Sequence, residues 1–320
     1  MARADLLIKL VRSGSAGDTS TFKRTVEAVI AEERSKQHHV LAERLGENLR
    51  PNGSDSFKNN KEDPSRNLFL EIFPSRRMED LVLPNAAENA CRELIEEQLR
   101  SDLLRTHALE PRHKVLLAGP PGNGKTSLAE AIAEALAIPL ISIRYETLIG
   151  SFLGETAGRL QQVFDYVRTR PCVLFFDEFD TIGKERGDTH ETGEIKRVVS
   201  SLLLQMDSLP SYVIVITASN HPELLDRAVW RRFQLRIELP QPDFKQLSAW
   251  FEKFSKRFDQ PLGHTPKTLA QKLIGISFAE AEEFCADILR RYALTHERQN
   301  IKKIVSSCLA QWQARYSVKD

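Results

Sequence analysis

An apolar run, Val115-Leu-Leu-Ala118, leads into Gly119-Pro-Pro-Gly-Asn-Gly124-Lys125-Thr126, and a helix-like pattern begins at Lys125. No other segment restricts the possible folds of this chain so strongly. A glycine-rich turn ending in lysine and a hydroxyl residue needs a buried strand to enter it and a helix to leave it. Successive backbone N–H groups at the helix N-terminus then face one concavity and can enclose phosphate. Lys125 is placed to reach the terminal phosphates, and Thr126 offers a hydroxyl to magnesium. At Gly124 the missing Cβ lets a phosphate approach the backbone.

The rest of the chain repeats the strand–helix alternation. Apolar runs predict strands over Lys114–Ala118, Leu140–Ile143, Cys172–Phe176, Tyr212–Thr217 and Leu235–Leu239. Helical spacing predicts helices over Asn85–Leu104, Lys125–Leu136, Thr156–Thr169 and Glu194–Met206. Short all-apolar strands alternating with helices give an α/β fold, a parallel sheet covered on both faces. Beyond Pro240-Gln-Pro242 the strand pattern ends, and Phe244–Phe258, Thr268–Ile274, Phe278–Leu294 and Ile301–Tyr316 read as helices. Upstream, 2–12 and 19–49 read as helices, and 51–67, rich in Asn, Ser, Lys and Asp, as a flexible linker. The expected division is an N-terminal helical region 1–50, linker 51–67, α/β domain 68–240 and all-helical domain 241–320.

The 45 basic and 44 acidic residues leave a net charge of +1, so nothing global draws the chain to nucleic acid or an acidic membrane. No run approaches the roughly 20 apolar residues of a membrane helix, and the N-terminus lacks a signal-peptide profile, which points to a cytoplasmic protein. Cys91, Cys172, Cys285 and Cys308 have no spacing that suggests zinc or a disulfide framework. His38-His39 lacks a partner spaced for metal binding and reads as a solvent-facing pair.

The strand Cys172–Phe176 runs straight into Asp177-Glu178-Phe179-Asp180. By itself such an acidic pair is a solvated turn. Downstream of a phosphate loop, Asp177 at the strand end can hold magnesium and Glu178 can polarise an attacking water as general base. The next strand ends Thr217-Ala-Ser-Asn220, so Asn220 emerges at the same sheet edge, where it could orient that water.

The order Gly119–Thr126, Asp177-Glu178, Asn220 and Leu225-Asp226-Arg-Ala-Val-Trp-Arg231-Arg232-Phe233 resembles the AAA ATPase family over roughly Met78–Leu294. The arginine pair before phenylalanine is similar to the branch with spastin, katanin and the ATPase that disassembles ESCRT filaments. The resemblance implies a five-stranded parallel sheet with a helical lid, assembled as a hexameric ring, with ATP and Mg²⁺ as cofactors. It implies ATP binding by Asp80, within the segment Met78–Val82 that packs against adenine, and by Gly119, Pro120, Pro121, Gly122, Asn123, Gly124, Lys125, Thr126 and Ser127. It makes Arg231 and Arg232 arginine fingers that act in the neighbouring subunit's site. Ser277-Phe278-Ala279 stands where other branches carry a sensing arginine, which argues against a clamp loader or replication initiator.

Ser151-Phe152-Leu153-Gly154-Glu155 resembles the family's central-pore loop, so Phe152 and Leu153 would grip a threaded polypeptide; the alternative is that Phe152 caps the core. Ser151 and Phe152 replace residues that are commonly basic and tryptophan. Gly187–Gly193 falls where the second pore loop lies. The N-terminal region is too short for that branch's three-helix filament-binding bundle. It resembles bacterial stand-alone AAA proteins that work beside a subtilisin-like serine protease, which implies such a protease as partner, although no residue encodes that link. The function these features imply is an ATP-driven motor that unfolds, remodels or translocates protein. Its rivals are a nucleotide-switched scaffold and a nucleic-acid motor or loader. The near-neutral charge and the aromatic loop argue against the second rival.

Overall fold

The computed structural model describes residues 25, 26, 28, 68–143, 153–180, 192–258, 260–294 and 301–316. The chain forms two compact units, 1–61 and 62–320. In the first, residues 25, 26 and 28 are helical; the other expected N-terminal helical positions, His38-His39 and the linker lie outside the described residues.

The second unit is built on a six-stranded sheet: β1 (Phe69–Ile72), β2 (Lys114–Ala118), β3 (Leu140–Ile143), β4 (Cys172–Phe176), β5 (Val213–Ser219) and β6 (Leu235–Glu238), in the order β1-β3-β4-β5-β2-β6. β2 to β6 are mutually parallel, and β1 adds an antiparallel edge beside β3, with Phe69 opposite Ile143. This is one strand more than the expected five. Four residues after a polar stretch are too few to show a period, and β1 exists through its pairing with β3.

Side-chain alternation divides the core between the two faces of the sheet. Cys172, Leu174 and Phe176 of β4 meet Leu160, Phe164 and Val167 of α4 (Leu153–Val167) and Leu202 and Met206 of α5 (Thr192–Asp207), after α1 (Asn85–Leu99), α2 (Ser101–Thr106) and α3 (Lys125–Ala135). Val173 and Phe175 face the other way, onto Cys91 and Leu94 of α1 and Leu128 and Ile132 of α3. Central strands buried on both faces are apolar, as β4 is throughout and β5 is but for the buried Thr217 and Ser219; β6, at the edge, is buried only at Ile237. The single helix expected over Asn85–Leu104 is two helices, because Arg100 (φ −109°, ψ 28°) leaves helical geometry.

After the short α6 (Arg227–Trp230) and β6, the described elements are helical: α7 (Phe244–Ser255), α8 (Pro266–Lys272), α9 (Phe278–Leu294) and α10 (Ile301–Tyr316). Asp243 caps α7 by accepting from Gln246 N, and Thr265 caps α8 by accepting from Thr268 N. These helices enclose their own core, in which Phe284 meets Phe251 and Trp312 edge-to-face at 5.9 and 5.8 Å. All four cysteines are buried and free, and burial pushes the Cys91, Cys172 and Cys285 thiols up to about 12. Among the described residues no helix is long and apolar enough to cross a membrane.

Candidate functional site

The strand order sets the site. β2, β5 and β4 are neighbours, and all three end at the same sheet edge, where ligands of open parallel sheets bind. The glycine-rich loop follows β2, Asp177-Glu178 follows β4 and Asn220 follows β5. They line one cleft of about 320 Å³, with Pro121 to Ser127 as its floor and Leu81, Val82 and Leu83 as an apolar wall.

Within the loop, Gly119, Gly122 and Gly124 have φ of 147°, 76° and 83°, values that L side chains resist. Gly124 N-caps α3, so the first helical N–H groups face the cleft. Lys125 is buried, and its Nζ donates to the carbonyls of Gly119 (2.7 Å) and Pro120 (3.0 Å). Burial pulls its pKa below the usual lysine range, and Asp177 and Asp180 act the other way. Gly119 and Pro120 thus support the loop from behind, and neither is among the cleft-lining residues.

Thr126 Oγ1 donates to Asp177 Oδ2 at 3.2 Å, while Asp177 Oδ1 accepts from Glu178 N at 2.9 Å. A hydroxyl and a carboxylate side by side are hard oxygen donors of the kind magnesium takes. Glu178 is exposed to the cleft with φ 48°, a left-handed backbone that costs a non-glycine residue about 1–2 kcal/mol. Behind it, Phe179 N donates to Ala218 O (2.8 Å), and the buried Asp180 accepts from Ser219 Oγ and Asn220 N, each at 3.1 Å. Asp180 therefore fixes Asn220 beside Glu178. Its place in the acidic run after β4 gives no sign of that task.

Other expected residues lie elsewhere. Asp80 is not among the cleft-lining residues: its carboxylate accepts from Arg77 N at 3.0 Å and closes a turn, leaving the wall to its apolar successors. Arg231 and Arg232, between α6 and β6, do not line this chain's own cleft. Arg231 is exposed, whereas Arg232 is half-buried and ion-paired to Asp207, which also binds Lys114 Nζ at 2.8 Å. Phe152 and Ser151 lie outside the described residues, as do 187–191 of the second loop; Leu153 opens α4.

The cleft is also lined from the C-terminal helices, at Phe278 of the Ser277-Phe278-Ala279 segment and at residues the motifs did not name. Trp250 of α7 and Phe278 and Glu282 of α9 line it, together with Arg76 from the segment before the first turn. Ala279 N donates to Gly122 O at 2.9 Å, and a Cβ on Gly122 would lie 2.9 Å from Ser277 Oγ, so α9 rests directly on the loop. Lys253 of α7 holds the turn by donating to the carbonyls of Glu79 and Leu81.

A family model described as ATPase family associated with various cellular activities (AAA) matches residues 115–241. An uncharacterized AAA family ATPase of Sinorhizobium fredii is 34% identical over 307 residues, 93% of this chain and 92% of that protein. A putative 26S proteasome regulatory subunit homolog of Methanothermobacter thermautotrophicus is 35% identical over 210 residues, 64% of this chain and 56% of that protein. A cell division cycle protein 48 homolog of Archaeoglobus fulgidus is 32% identical over 252 residues, 75% of this chain but 34% of its own length.

Proposed function

The chain belongs to the AAA family of ATPases, and from that premise we propose that it is a ring-forming motor that couples ATP hydrolysis to unfolding, remodelling or translocating protein substrates. The observation that carries this reading is the convergence of Lys125, Thr126, Asp177, Glu178 and Asn220 on one cleft from three neighbouring strands. Lys125 exchanges its loop carbonyls for the terminal phosphates, and the loop N–H groups hold the rest of the chain. Bound magnesium would neutralise charge developing on the transferred phosphoryl group. Thr126 and Asp177 would hold it, Glu178 takes the proton of the attacking water and Asn220 orients that water. Arg231 and Arg232 complete a neighbour's site.

The finer parts belong to the same reading. Residues 68–240 act as the ATPase domain, 241–320 as a lid that follows the nucleotide, and 1–50 with linker 51–67 as the region that selects cargo. The separate core of the C-terminal helices supports the division. Phe152 and Leu153 grip the polypeptide in the pore, the ring has six subunits in the cytoplasm, and a subtilisin-like protease receives the product. The kinship with spastin and katanin rests on Arg231-Arg232-Phe233. A protein rather than nucleic-acid substrate is supported by the names of the archaeal proteasome-regulator relatives and by the net charge of +1.

The test is Glu178→Gln. Size is kept and the base is lost, so ATP binding should persist while turnover falls about 10²–10⁴-fold. ATP-dependent unfolding of a tagged fluorescent reporter should stop with it. Wild-type turnover in this variant would remove Glu178 from its role, and wild-type unfolding without turnover would remove the motor.

A further inference from the structure

We propose that Arg76 is a direct nucleotide ligand, the cation for the α-phosphate end of the polyphosphate. The inference rests on the reading that the cleft takes ATP and adds a residue that no motif assigned. Arg76 precedes the turn, within the segment Ser75–Arg77 that runs alongside α3. One face of α3 presents Ser127, Glu130 and Glu134 to it at roughly one-turn intervals. Glu130 Oε1 accepts from the backbone N of Ser75 (3.1 Å) and of Arg76 (3.3 Å), which fixes the strand-like segment against the helix. Arg77 ion-pairs with Glu134 at 3.6 Å.

Arg76 is treated differently from its neighbour. Its Nη1 donates to Ser127 Oγ at 2.8 Å, a neutral hydroxyl, and among the described residues no carboxylate lies within ion-pair distance of the guanidinium. The side chain is half-buried and lines the cleft. Two glutamates on the same helix face are therefore used on backbone N–H groups and on Arg77, while Arg76 keeps its charge uncompensated toward the cavity. A guanidinium has five N–H donors, and among the described residues one of them is engaged. Glu282 also lines the cleft, from α9, so the site carries a negative group away from the loop.

The location sets what Arg76 would touch. Ser127 directly follows Thr126, and the N–H groups at this point of a phosphate loop face the α- and β-phosphates, while the loop lysine reaches the β- and γ-phosphates. Arg76 thus adjoins the phosphate floor at Ser127 and lines the same cleft as the apolar wall of Leu81–Leu83. A planar guanidinium beside a phosphodiester-like oxygen pair can donate two parallel hydrogen bonds. It reads the part of the ligand that ATP and ADP share, and it ignores the γ-phosphate.

Displacement of fluorescently labelled ADP from the full chain by ATP, ADP and adenosine tests this, in wild type, Arg76→Gln, Arg76→Lys and Lys125→Ala. Arg76→Gln should raise the Kd of ATP and of ADP by one common factor, about 10- to 100-fold, the range of hydrogen bonds to charged groups. Adenosine should compete as it does with wild type, and Arg76→Lys should fall between. Should Arg76→Gln be too unstable to titrate, the lysine variant decides, since it keeps the charge and loses only the fork. Unchanged ATP and ADP affinities in both variants overturn the proposal. So does an equal loss for adenosine, which would make Arg76 part of the base-binding wall, or a loss confined to ATP, which would make it a γ-phosphate contact. If wild type and Lys125→Ala both fail to bind ATP, the nucleotide reading falls and this inference with it.

Discussion

Gly119 and Gly124 lie five positions apart in one loop and are glycine for different reasons. At Gly119 a Cβ would lie 2.1 Å from the carbonyl oxygen of Leu239, so the residue is demanded by the close approach of the β6 exit. At Gly124 no heavy atom beyond its chain neighbours stands within 4 Å of an added Cβ, and in the ligand-free chain only the backbone (φ 83°) objects. Gly119→Ala should therefore lower the melting temperature of the ligand-free protein severely or prevent soluble expression. Gly124→Ala should cost about 1–2 kcal/mol and remove the stabilisation that ATP confers. Thermal melting with and without ATP separates the two; a ligand-free Gly119→Ala protein as stable as wild type would contradict the packing. The role of Gly124 was legible in the sequence because it depends on local backbone. That of Gly119 was not, because Leu239 is brought to it by β2–β6 pairing. The same holds for Asp180 and Arg76, whose partners Asn220 and Ser127 are remote in sequence. Asp80, which does not line the cleft, is the opposite case: a local hydrogen bond from Arg77 N claims its carboxylate.

Among the elements, the strands legible in the sequence are those whose burial forces a largely apolar run. β2, β3 and β4 begin and end where the pattern does, since each is covered on both faces. β1 was invisible because its second edge is open and only Phe69 is buried, and the break at Arg100 left no periodic mark. Nor does any local pattern reveal that α7 clamps the turn that leads into the cleft wall. Lys253 Nζ donates to two carbonyls there, one at 2.9 Å from Leu81, so it fixes Leu81–Leu83 without entering the cleft. Lys253→Ala should raise the Kd of ATP and ADP alike by a few-fold, about 1 kcal/mol for lost hydrogen bonds, and leave the hydrolytic residues in place. Nucleotide titration beside single-turnover hydrolysis checks this. A variant that binds normally but hydrolyses slowly would show that the contact serves catalysis and not the wall.

At the scale of the whole molecule, the cleft gathers the glycine-rich loop with Lys125 and Thr126, Asp177, Glu178 and Asn220, but its lining includes no arginine from the segment Arg231-Arg232-Phe233. Phe233 explains how that segment is held: it is buried and meets Phe179 edge-to-face at 6.2 Å, next to Glu178, so the arginines are anchored at the strand exit that carries Glu178. They nevertheless project elsewhere. Arg232 is engaged by Asp207, whereas Arg231 is exposed, and in the proposed ring it is the one that would meet a second copy. An arginine supplied in trans can contribute about 10³–10⁵ in rate, so a subunit whose own cleft is intact should be nearly inert alone. Arg231→Ala subunits keep a working cleft but fail their neighbour; Lys125→Ala subunits have a dead cleft but still present Arg231. Each variant alone should hydrolyse ATP poorly. Mixed, they should recover activity at the interfaces where the first receives the arginine of the second, with a maximum near equal proportions. Specific activity of wild type should also rise with protein concentration. Mixtures that give only the sum of their parts, with a wild-type rate that stays constant down to a demonstrated monomer, would place the whole catalytic apparatus within one chain.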